Sequence, residues 1–405
     1  MNYILLLIVR CALGFCLLAF VVFTGLSVWA ARRWRRSRKP IDPDWTPGVT
    51  ILKPVSGIES PHAYANFVSF CTQSYPNDRL QLIFGCLHAD DSVIPLIRRL
   101  QTNFPHIRID LVCNGIRAFR GPNLKVCNLL AMLPIAQFDL LVLCDSDMRV
   151  EPDYVRRVVS AFRPDTGLTS NKSRSVKGVG LVTCPYRGSS VESLPAVLEA
   201  LGIGADFIPG ALVSRAMEGV GFAFGSTIAL PRDVLEQIGG FEAILHELAD
   251  DFRLGESTRA AGYEVVLSDY MVDDVLGAER FVGMWNRRLR WARTVRSCRP
   301  WGYAGLFVTN GTALGLLFWA SMGFNAVGSS VLVAALLLRL AATAAIGATC
   351  TSDRNLIRYL PLLPISDVLS LCLYLASYFG NRIIWRGETF RLLPGGKMEK
   401  VIQTP

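Results

Sequence analysis

Two aspartates separated by one residue form the sharpest chemical signal in the sequence. Asp145 and Asp147 directly follow the apolar run at 140–143, which has the composition of a buried strand. Side chains alternate along an extended chain, so both carboxylates can face one cleft. Such a pair suits a hard divalent cation, Mg²⁺ or Mn²⁺, whose shell is completed by water and a ligand diphosphate. Asp and Ser also favour turns and helix caps, so the motif alone leaves both interpretations open.

A second acidic cluster begins a predicted helix that runs from about residue 250 to Ala261. Asp250 and Asp251 stand at its start, and Glu247 precedes them. A carboxylate at Asp251 can act as a general base that removes the proton from an attacking hydroxyl. Helix N-termini also favour acidic residues because of the helix dipole. Both interpretations, a general base and an ordinary acidic helix N-terminus, remain open at this point.

The third signal is a basic helical segment with a tryptophan. Arg287 and Arg290 are three residues apart and share a helix face, where two guanidiniums can clamp a diphosphate. Trp291 can stack on a sugar or lie at a membrane interface. The alternative is a basic flank before an apolar segment that starts near Trp301. A catalytic helix beside a bilayer would need both properties.

Together the three clusters meet the requirements of a transferase that uses a nucleotide sugar. A cation and arginines would neutralise the departing diphosphate, and a carboxylate would activate the acceptor. The sequence offers one base and no second catalytic carboxylate, which predicts a single displacement with inversion at the anomeric carbon. Retaining glycosidases, by contrast, usually need a second carboxylate as the nucleophile.

The elements that must position these residues follow an α/β pattern. Helical segments are predicted at 94–103 and 124–133, and they lie between short β-type runs. The predicted strands are residues 49–52, 80–84, 107–112 and 140–143. Alternating strands and helices predict a mostly parallel sheet, which binds its ligands at the carboxyl ends of the strands.

The composition indicates that part of the chain lies in a membrane. The chain has 405 residues, of which 51% are hydrophobic and 19% charged, and this is too apolar for an ordinary soluble enzyme. Residues 11–31 form an apolar run long enough to cross a bilayer, so we predict a transmembrane anchor over residues 1–31. Six of the positive charges behind the net charge of +9 follow it: Arg32, Arg33, Arg35, Arg36, Arg38 and Lys39. This position indicates a cytoplasmic membrane flank and argues against a nucleic-acid partner.

The remaining boundaries follow from hydropathy and charge. Residues 32–300 are predicted to form a cytoplasmic catalytic domain, and residues 301–380 a C-terminal membrane region. Two spans fit within 301–349, where Arg339 is the single charge. Residues 359–379 contain Pro361 and Pro364 and have basic residues on both sides, so they form either a re-entrant or interfacial element or a third span. Residues 381–405 are predicted to be a basic cytoplasmic tail.

The eleven cysteines do not indicate a disulfide framework. Four of them lie in apolar membrane-type segments, and the others are scattered without a C-x-x-C pair. We interpret them as reduced thiols that pack as small hydrophobic residues.

Short motifs along nearly the whole chain resemble those of the ceramide glucosyltransferase family, including its bacterial members and the similar hopanoid-associated glycosyltransferases. The matching segments are Leu52-Lys53-Pro54-Val55-Ser56-Gly57, Tyr75-Pro76, Asn123-Leu124-Lys125, Asp145-Ser146-Asp147, Asp250-Asp251, Arg287-x-x-Arg290-Trp291 and residues 385–396. The resemblance implies a GT-A fold, a UDP-sugar donor, a divalent cation and a lipid hydroxyl acceptor at the cytoplasmic leaflet.

The same resemblance implies roles for individual residues. Asp145 and Asp147 would hold the metal and the nucleotide sugar, Asp251 would be the catalytic base, and the leaving UDP would meet Arg287, Arg290 and Trp291. Lys53 and Lys125 would lie near the nucleotide, although a lysine at a strand end is often only solvated.

Two departures from the family pattern stand out. The family's uridine-binding Asp after the second strand has only Asp90 or Asp91 as counterparts here, and both also suit a surface turn. A histidine of the eukaryotic members has no match within 202–209, a stretch we expect at the lipid-facing mouth. This absence favours a bacterial inner membrane protein.

The leading hypothesis from the sequence is therefore a membrane-bound inverting glycosyltransferase that adds glucose to ceramide. The alternative acceptor is a bacteriohopane polyol that receives N-acetylglucosamine. A processive polysaccharide synthase shares the D-x-D and (Q/R)xxRW motifs but generally needs more spans than this chain offers. A non-catalytic membrane scaffold that binds sugars is the alternative outside the enzymes.

Overall fold

The chain forms two compact units. The computed structural model describes residues 2–38, 41–58, 60–113, 121–163, 177–385 and 387–401; Lys39, Arg386 and the end of the predicted tail lie outside the described residues. Residues 38–187, 218–277 and 396–405 make up the sheet unit. Residues 1–37, 188–217 and 278–395 make up the helical unit.

The sheet unit is built on a seven-stranded sheet. Its strands are β1 (Val49–Pro54), β2 (Leu80–Cys86), β3 (Arg108–Cys113), β4 (Leu140–Leu143), β6 (Val179–Thr183), β8 (Ile228–Pro231) and β9 (Glu264–Leu267). They lie in the order β3-β2-β1-β4-β8-β6-β9. Strand β8 is antiparallel to both of its neighbours, and all other neighbouring strands are parallel. The predicted α/β fold with a mostly parallel sheet is confirmed.

Helices cover both faces of this sheet. They are α2 (Ala63–Cys71), α3 (Ile94–Asn103), α4 (Leu124–Met132), α5 (Tyr154–Ser160), α8 (Arg232–Gln237) and α9 (Asp250–Ala260), with 3₁₀ turns at Asn77–Arg79, Leu133–Ile135 and Phe241–Ile244. Ile51 and Leu52 are consecutive in β1 and both are fully buried, each in a different hydrophobic cluster. Because both faces are covered, the strands read as unbroken apolar runs.

A smaller sheet and the chain end complete this region. The smaller sheet contains β5 (Met148–Arg149), β10 (Val272–Gly277) and β7 (Tyr186–Val191), with β10 in the middle. Strand β13 (Met398–Lys400) follows the helical unit in the chain but belongs to the sheet unit. There the N–H of Met398 donates to the carbonyl oxygen of His246 at 2.8 Å. The C-terminal residues thus brace the segment that leads into α9.

The helical unit contains most of the apolar sequence. Its helices are α1 (Asn2–Arg36), α6 (Leu194–Gly202), α7 (Ile208–Glu218), α10 (Phe281–Cys298), α11 (Pro300–Gly305), α12 (Gly311–Ser321), α13 (Ala326–Ile346), α14 (Arg354–Arg358) and α15 (Leu363–Ser377). Wider π turns at Ile203–Phe207 and Gly347–Thr351 and 3₁₀ turns at Leu306–Thr309 and Leu360–Leu362 link some of them. Strands β11 (Arg382–Trp385) and β12 (Glu388–Leu392) form an antiparallel hairpin.

By length and composition, four continuous helices in the described ranges could cross a membrane. They are Tyr3–Arg36, Leu194–Glu218, Ala326–Thr351 and Leu360–Ser377. A fifth span results if Pro300–Thr309 and Gly311–Ser321, bent by 63° at their junction, count as one. The N-terminal apolar helix was expected. The stretch at 359–379 contains the helix Leu360–Ser377, and whether it spans or re-enters the membrane stays a prediction.

The helix Leu194–Glu218 was not predicted from the sequence. It contains Glu199, Asp206 and Arg215, which lower its apparent hydropathy, and most of it is buried within the protein. Because residues 188–217 and 278–300 group with the other apolar helices, the predicted range 32–300 contributes to both units. Which ranges are cytoplasmic and which lie in the membrane stays a prediction.

A close backbone approach in the sheet unit gives a direct test of the fold. A Cβ on Gly255 of α9 would lie 2.4 Å from the carbonyl carbon of Phe222 and 2.6 Å from the nitrogen of Ala223. Backbone atoms cannot swing away, so Gly255→Ala should lower the free energy of unfolding by about 1–3 kcal/mol. Thermal melting in detergent, followed by tryptophan fluorescence, measures the loss.

The matched control is Gly210→Ala, in α7 of the helical unit. Apart from the neighbouring residues and backbone of its own helix, no described heavy atom lies within 4 Å of the added Cβ there. An added Cβ in an open helical site stabilises by about 0.4–1 kcal/mol. Equal melting temperatures for the two variants would contradict the described packing of α9.

Candidate functional site

Lys125 owes its position to the start of α4. Asn123 caps this helix, since its side-chain oxygen accepts the N–H of Val126 at 3.1 Å. The amide nitrogen of Asn123 donates to the carbonyl oxygen of Glu247 at 2.8 Å. The Asn-Leu-Lys motif therefore joins the first turn of α4 to the segment just before α9.

The structure brings the two predicted acidic clusters together around this lysine. Nζ of Lys125 lies 2.8 Å from Oδ1 of Asp145 and 3.1 Å from Oδ2 of Asp250. Burial alone would lower the pKa of Lys125, but Asp145, Asp250 and Asp251 outweigh that effect and raise it above its usual value. We call Lys125, Asp145, Asp250 and Asp251 the lysine-centred cluster. The single positive charge of Lys125 thus compensates the negative charges of three carboxylates.

Asp251 is held by two backbone donors. Its Oδ2 accepts the N–H of Gly225 at 3.0 Å, and its Oδ1 accepts the N–H of Phe252 at 2.7 Å. Burial, reinforced by the charge of Asp250, raises the pKa of Asp251 to about 6, although Lys125 acts in the opposite direction. A carboxylate with this pKa is ionised at neutral pH but still a better proton acceptor than an ordinary aspartate.

Gly225 is part of the site although the sequence interpretation missed it. A Cβ at this position would lie 2.5 Å from Oδ2 of Asp145 and 3.2 Å from Nζ of Lys125. The carbonyl oxygen of Gly225 also accepts the N–H of Asp145 at 3.2 Å. The only signal in the sequence was a Gly-Ser-Thr segment directly before an apolar strand.

Lys53 stabilises the backbone of the D-x-D segment. It is fully buried, and its Nζ donates to the carbonyl oxygen of Asp145 at 2.8 Å and lies 3.8 Å from the centre of the Phe70 ring. Burial lowers the pKa of Lys53 despite the nearby carboxylates. Asn66, which was not predicted, donates to the carbonyl oxygen of Asp147 at 3.2 Å. Lys53 is therefore not the solvated lysine that the sequence left open.

The carboxylates of Asp145 and Asp147 fit a hard divalent cation in part. Both residues are half-buried at the end of β4, and the missing side chain of Gly225 leaves room beside Asp145. Among the described residues, no group of three or more His, Cys, Asp or Glu side chains could hold a metal ion. A cation here would need water and a ligand to complete its shell, which suits Mg²⁺ or Mn²⁺ with a diphosphate.

Asp90 and Asp91 have different environments. Both oxygens of Asp91 accept the N–H of Gly57, at 2.9 and 3.1 Å, and Oδ1 also accepts the N–H of Val93. Gly57 has a φ of +68°, which glycine adopts readily, and Asp91 stabilises this turn after β1 through the N–H of Gly57. Asp90 is exposed. Nucleotide contact at this position stays a prediction, and Asp90 has the more accessible carboxylate.

The predicted arginine and tryptophan residues lie on α10 in the helical unit. Arg287 donates from Nε and Nη2 to both oxygens of the fully buried Glu199, and from Nη1 to Glu279 at 2.8 Å. These contacts favour a positioning role for Arg287 over a diphosphate clamp. Arg290 lies over the ring of Trp385 at 5.6 Å, and Trp291 is half-buried. Their approach to the lysine-centred cluster stays a prediction.

The raised pKa of Asp251 makes stability depend on pH. A folded-state pKa above the unfolded one means that the stability contributed by the protonated form is lost as pH rises from about 4 through about 6. The Asp251→Asn variant does not undergo this loss. As the pH increases over that range, its free energy of unfolding should therefore rise by about 1–3 kcal/mol relative to that of the native protein. Melting temperatures at pH values on either side of the range measure the difference.

Asp90→Asn is the matched control because it removes the same charge from an exposed position. If both variants show the same pH dependence relative to the native protein, Asp251 does not have the environment described.

Comparison with known proteins finds relatives among the ceramide glucosyltransferases. Ceramide glucosyltransferase 1 of Caenorhabditis elegans is 25% identical over 260 residues, which are 64% of this chain and 52% of the relative. This chain therefore matches about half the length of that relative. Ceramide glucosyltransferase 3 of the same organism is 22% identical over 338 residues, 78% of this chain and 70% of the relative.

A solved structure and a family model extend the comparison. A mannosyltransferase from Pyrobaculum calidifontis, in complex with GDP-Man and Mn²⁺, has a TM-score of 0.50 and 20% identity, covering 90% of this chain and 98% of that one. This likeness supports the GT-A type of fold. The model of "Glycosyl transferase family 21" matches residues 13–398. Because that match spans nearly the whole chain, the protein belongs to glycosyl transferase family 21, which confirms the resemblance seen in its motifs.

Proposed function

We propose that this protein transfers a sugar from a UDP-sugar to the hydroxyl group of a membrane lipid, with inversion at the anomeric carbon. Glucose and ceramide are the leading donor sugar and acceptor. The main supporting observation is that Asp145, Asp250 and Asp251 lie around Lys125 at the end of β4. Membership in the family and the names of its relatives support the reaction class.

The donor half of the reaction needs charge compensation for a diphosphate. Asp145 and Asp147 would hold a divalent cation, which when bound supplies positive charge for the departing UDP. Lys53 holds the peptide segment between the two carboxylates in place through the carbonyl oxygen of Asp145. Lys125 keeps Asp145 in position from the other side. Asp90 is the proposed contact to the nucleotide.

Asp251 is the proposed general base. In the proposed step it accepts the proton of the lipid hydroxyl while that oxygen forms a bond to the anomeric carbon. The bond from the anomeric carbon to the phosphate oxygen breaks at the opposite face, and UDP leaves with the bonding electrons. The backbone N–H groups of Gly225 and Phe252 orient the carboxylate throughout.

The helical unit supports the proposed location of the protein in a membrane. Its long apolar helices suit insertion into a bilayer, and the basic residues at the C-terminal end of α1 favour a cytoplasmic location for the sheet unit. We place the protein in a bacterial inner membrane. Arg290 and Trp291 are proposed to meet the leaving UDP, while Arg287 positions their helix through Glu199 and Glu279.

Asp251→Asn tests the base directly. Loss of a general base should lower kcat about 10²–10⁴-fold while leaving the binding of UDP unchanged. For the native protein, kcat/KM should rise with pH through a value of about 6. Transfer of a labelled sugar to lipid, measured across pH, gives both quantities.

Asp250→Asn is the matched control, one residue away. It removes a charge that raises the pKa of Asp251, so the rising limb of its pH profile should move to lower pH while turnover persists. A fully active Asp251→Asn variant, or one with the native pH profile, would rule out the assignment.

A second experiment identifies the acceptor. Purified protein in vesicles is incubated with labelled UDP-glucose or UDP-N-acetylglucosamine and with ceramide, a bacteriohopane polyol or neither, in the presence of Mg²⁺ or Mn²⁺. We expect labelled glucosylceramide on lipid chromatography. Label on the hopanoid would replace the proposed acceptor, and a labelled polymer would indicate a processive synthase. Neither transfer nor hydrolysis of the donor would favour a non-catalytic scaffold.

A further inference from the structure

Two cysteines lie opposite each other on neighbouring strands of the main sheet. Cys86 ends β2 and Cys113 ends β3, and the two residues are partners in the parallel register of these strands. Sγ of Cys86 lies 2.6 Å from Sγ of Cys113. Neighbouring strands are about 4.8 Å apart, which is within the range of Cα separations that a disulfide spans. The strand pairing itself therefore brings the two thiols together.

The two thiols differ in their exposure to solvent. Strand β3 is an edge strand of the seven-stranded sheet, and Cys113 is half-buried there. Cys86 is fully buried one strand further in, and its Sγ also lies 3.5 Å from the carbonyl oxygen of His88. Burial and the contact with Cys113 raise the pKa of the Cys86 thiol. A small oxidant that arrives from solvent therefore reacts first with Cys113.

A metal ion is the other ligand that two adjacent thiols can take. Zinc in a structural site usually needs four side-chain ligands. In the described ranges of the chain, no group of three or more His, Cys, Asp or Glu side chains could hold a metal ion. Oxidation needs only the two sulfur atoms, which are already in contact. The surroundings of the pair therefore favour a disulfide over a metal site.

We propose that Cys86 and Cys113 form a reversible disulfide when the protein meets a hydroperoxide such as hydrogen peroxide. The sulfur of Cys113 attacks one peroxide oxygen, the O–O bond breaks, and Cys113 becomes a sulfenic acid while one water molecule leaves. The sulfur of Cys86 then attacks the sulfur of Cys113, and the S–O bond breaks. The hydroxyl group leaves with the proton of Cys86 as a second water molecule. A dithiol returns the two electrons when it reduces the disulfide.

The second step is favoured by the sheet. The strand pairing already holds Cys86 against Cys113, so the buried thiol attacks within the same molecule and no strand has to move. This proximity offsets the weak tendency of a buried thiol to ionise. No step involves a sugar donor or an acceptor, so the proposal goes beyond the proposed function.

The test detects the disulfide in the full-length protein. Purified protein in detergent is treated with hydrogen peroxide, its remaining thiols are blocked with N-ethylmaleimide, and it is digested without a reductant. Mass spectrometry should find a pair of peptides joined through Cys86 and Cys113, lighter by two hydrogen atoms than the separate peptides. Treatment with dithiothreitol before the thiols are blocked should abolish this pair.

Two variants show whether the link forms by the proposed steps. In Cys86→Ser the link is lost, and the sulfenic acid should persist on Cys113, where dimedone captures it. Cys127→Ser is the matched control, because it removes another buried thiol, one whose Sγ donates to the carbonyl oxygen of Gly121. This variant should form the native amount of the link.

The remaining outcomes would overturn the proposal. Oxidation of Cys113 in the native protein without a link to Cys86 would mean that the two thiols only pack against each other. Links spread over several cysteine pairs would show that the strand register does not select this pair. If Cys86→Ser does not yield monodisperse protein, the peptides of the native protein still decide the question. Because no turnover is measured, the result does not depend on sugar transfer.

Discussion

The ion pairs of Lys125 are the interaction on which the candidate site depends. Three carboxylates cannot lie together in a partly buried position unless a cation compensates them, and removing one partner of a buried pair typically costs about 3–5 kcal/mol. Lys125 contacts Asp145 and Asp250 directly, and its charge also acts on Asp251. This requirement joins α4, the end of β4 and the start of α9, which are far apart in sequence.

The same cluster sets the chemistry of Asp251. Without Lys125, burial and the charge of Asp250 would act on this carboxylate unopposed and would favour its protonated form. With Lys125 in place, the carboxylate is ionised at neutral pH while it retains a raised proton affinity. One lysine therefore holds the backbone elements together and keeps a base available for an acceptor hydroxyl.

Charge compensation also explains what the sequence could and could not predict. Strands β1 to β4, the D-x-D segment at the end of β4 and the helix beginning at Asp250 were predictable, because local hydropathy and spacing determine them. Strands β6, β8 and β9, which complete the main sheet, were not predicted. The ion pair between Arg287 and Glu199 was not predictable, because the two residues lie on segments that are distant in sequence. The helix Leu194–Glu218 was missed for the same reason: Asp206 is compensated by Arg339, and Glu199 by Arg287. Gly225 was missed because its close approach to Asp145 exists only in the folded chain.

The most direct test of the central claim is an experimental structure of the protein with UDP and Mn²⁺ bound. The account predicts that the ion contacts a carboxylate of the D-x-D pair, Asp145 or Asp147, and that the diphosphate lies beside the lysine-centred cluster that contains Asp251. A nucleotide bound elsewhere on the protein, with Lys125 and its three carboxylates facing no ligand, would contradict it.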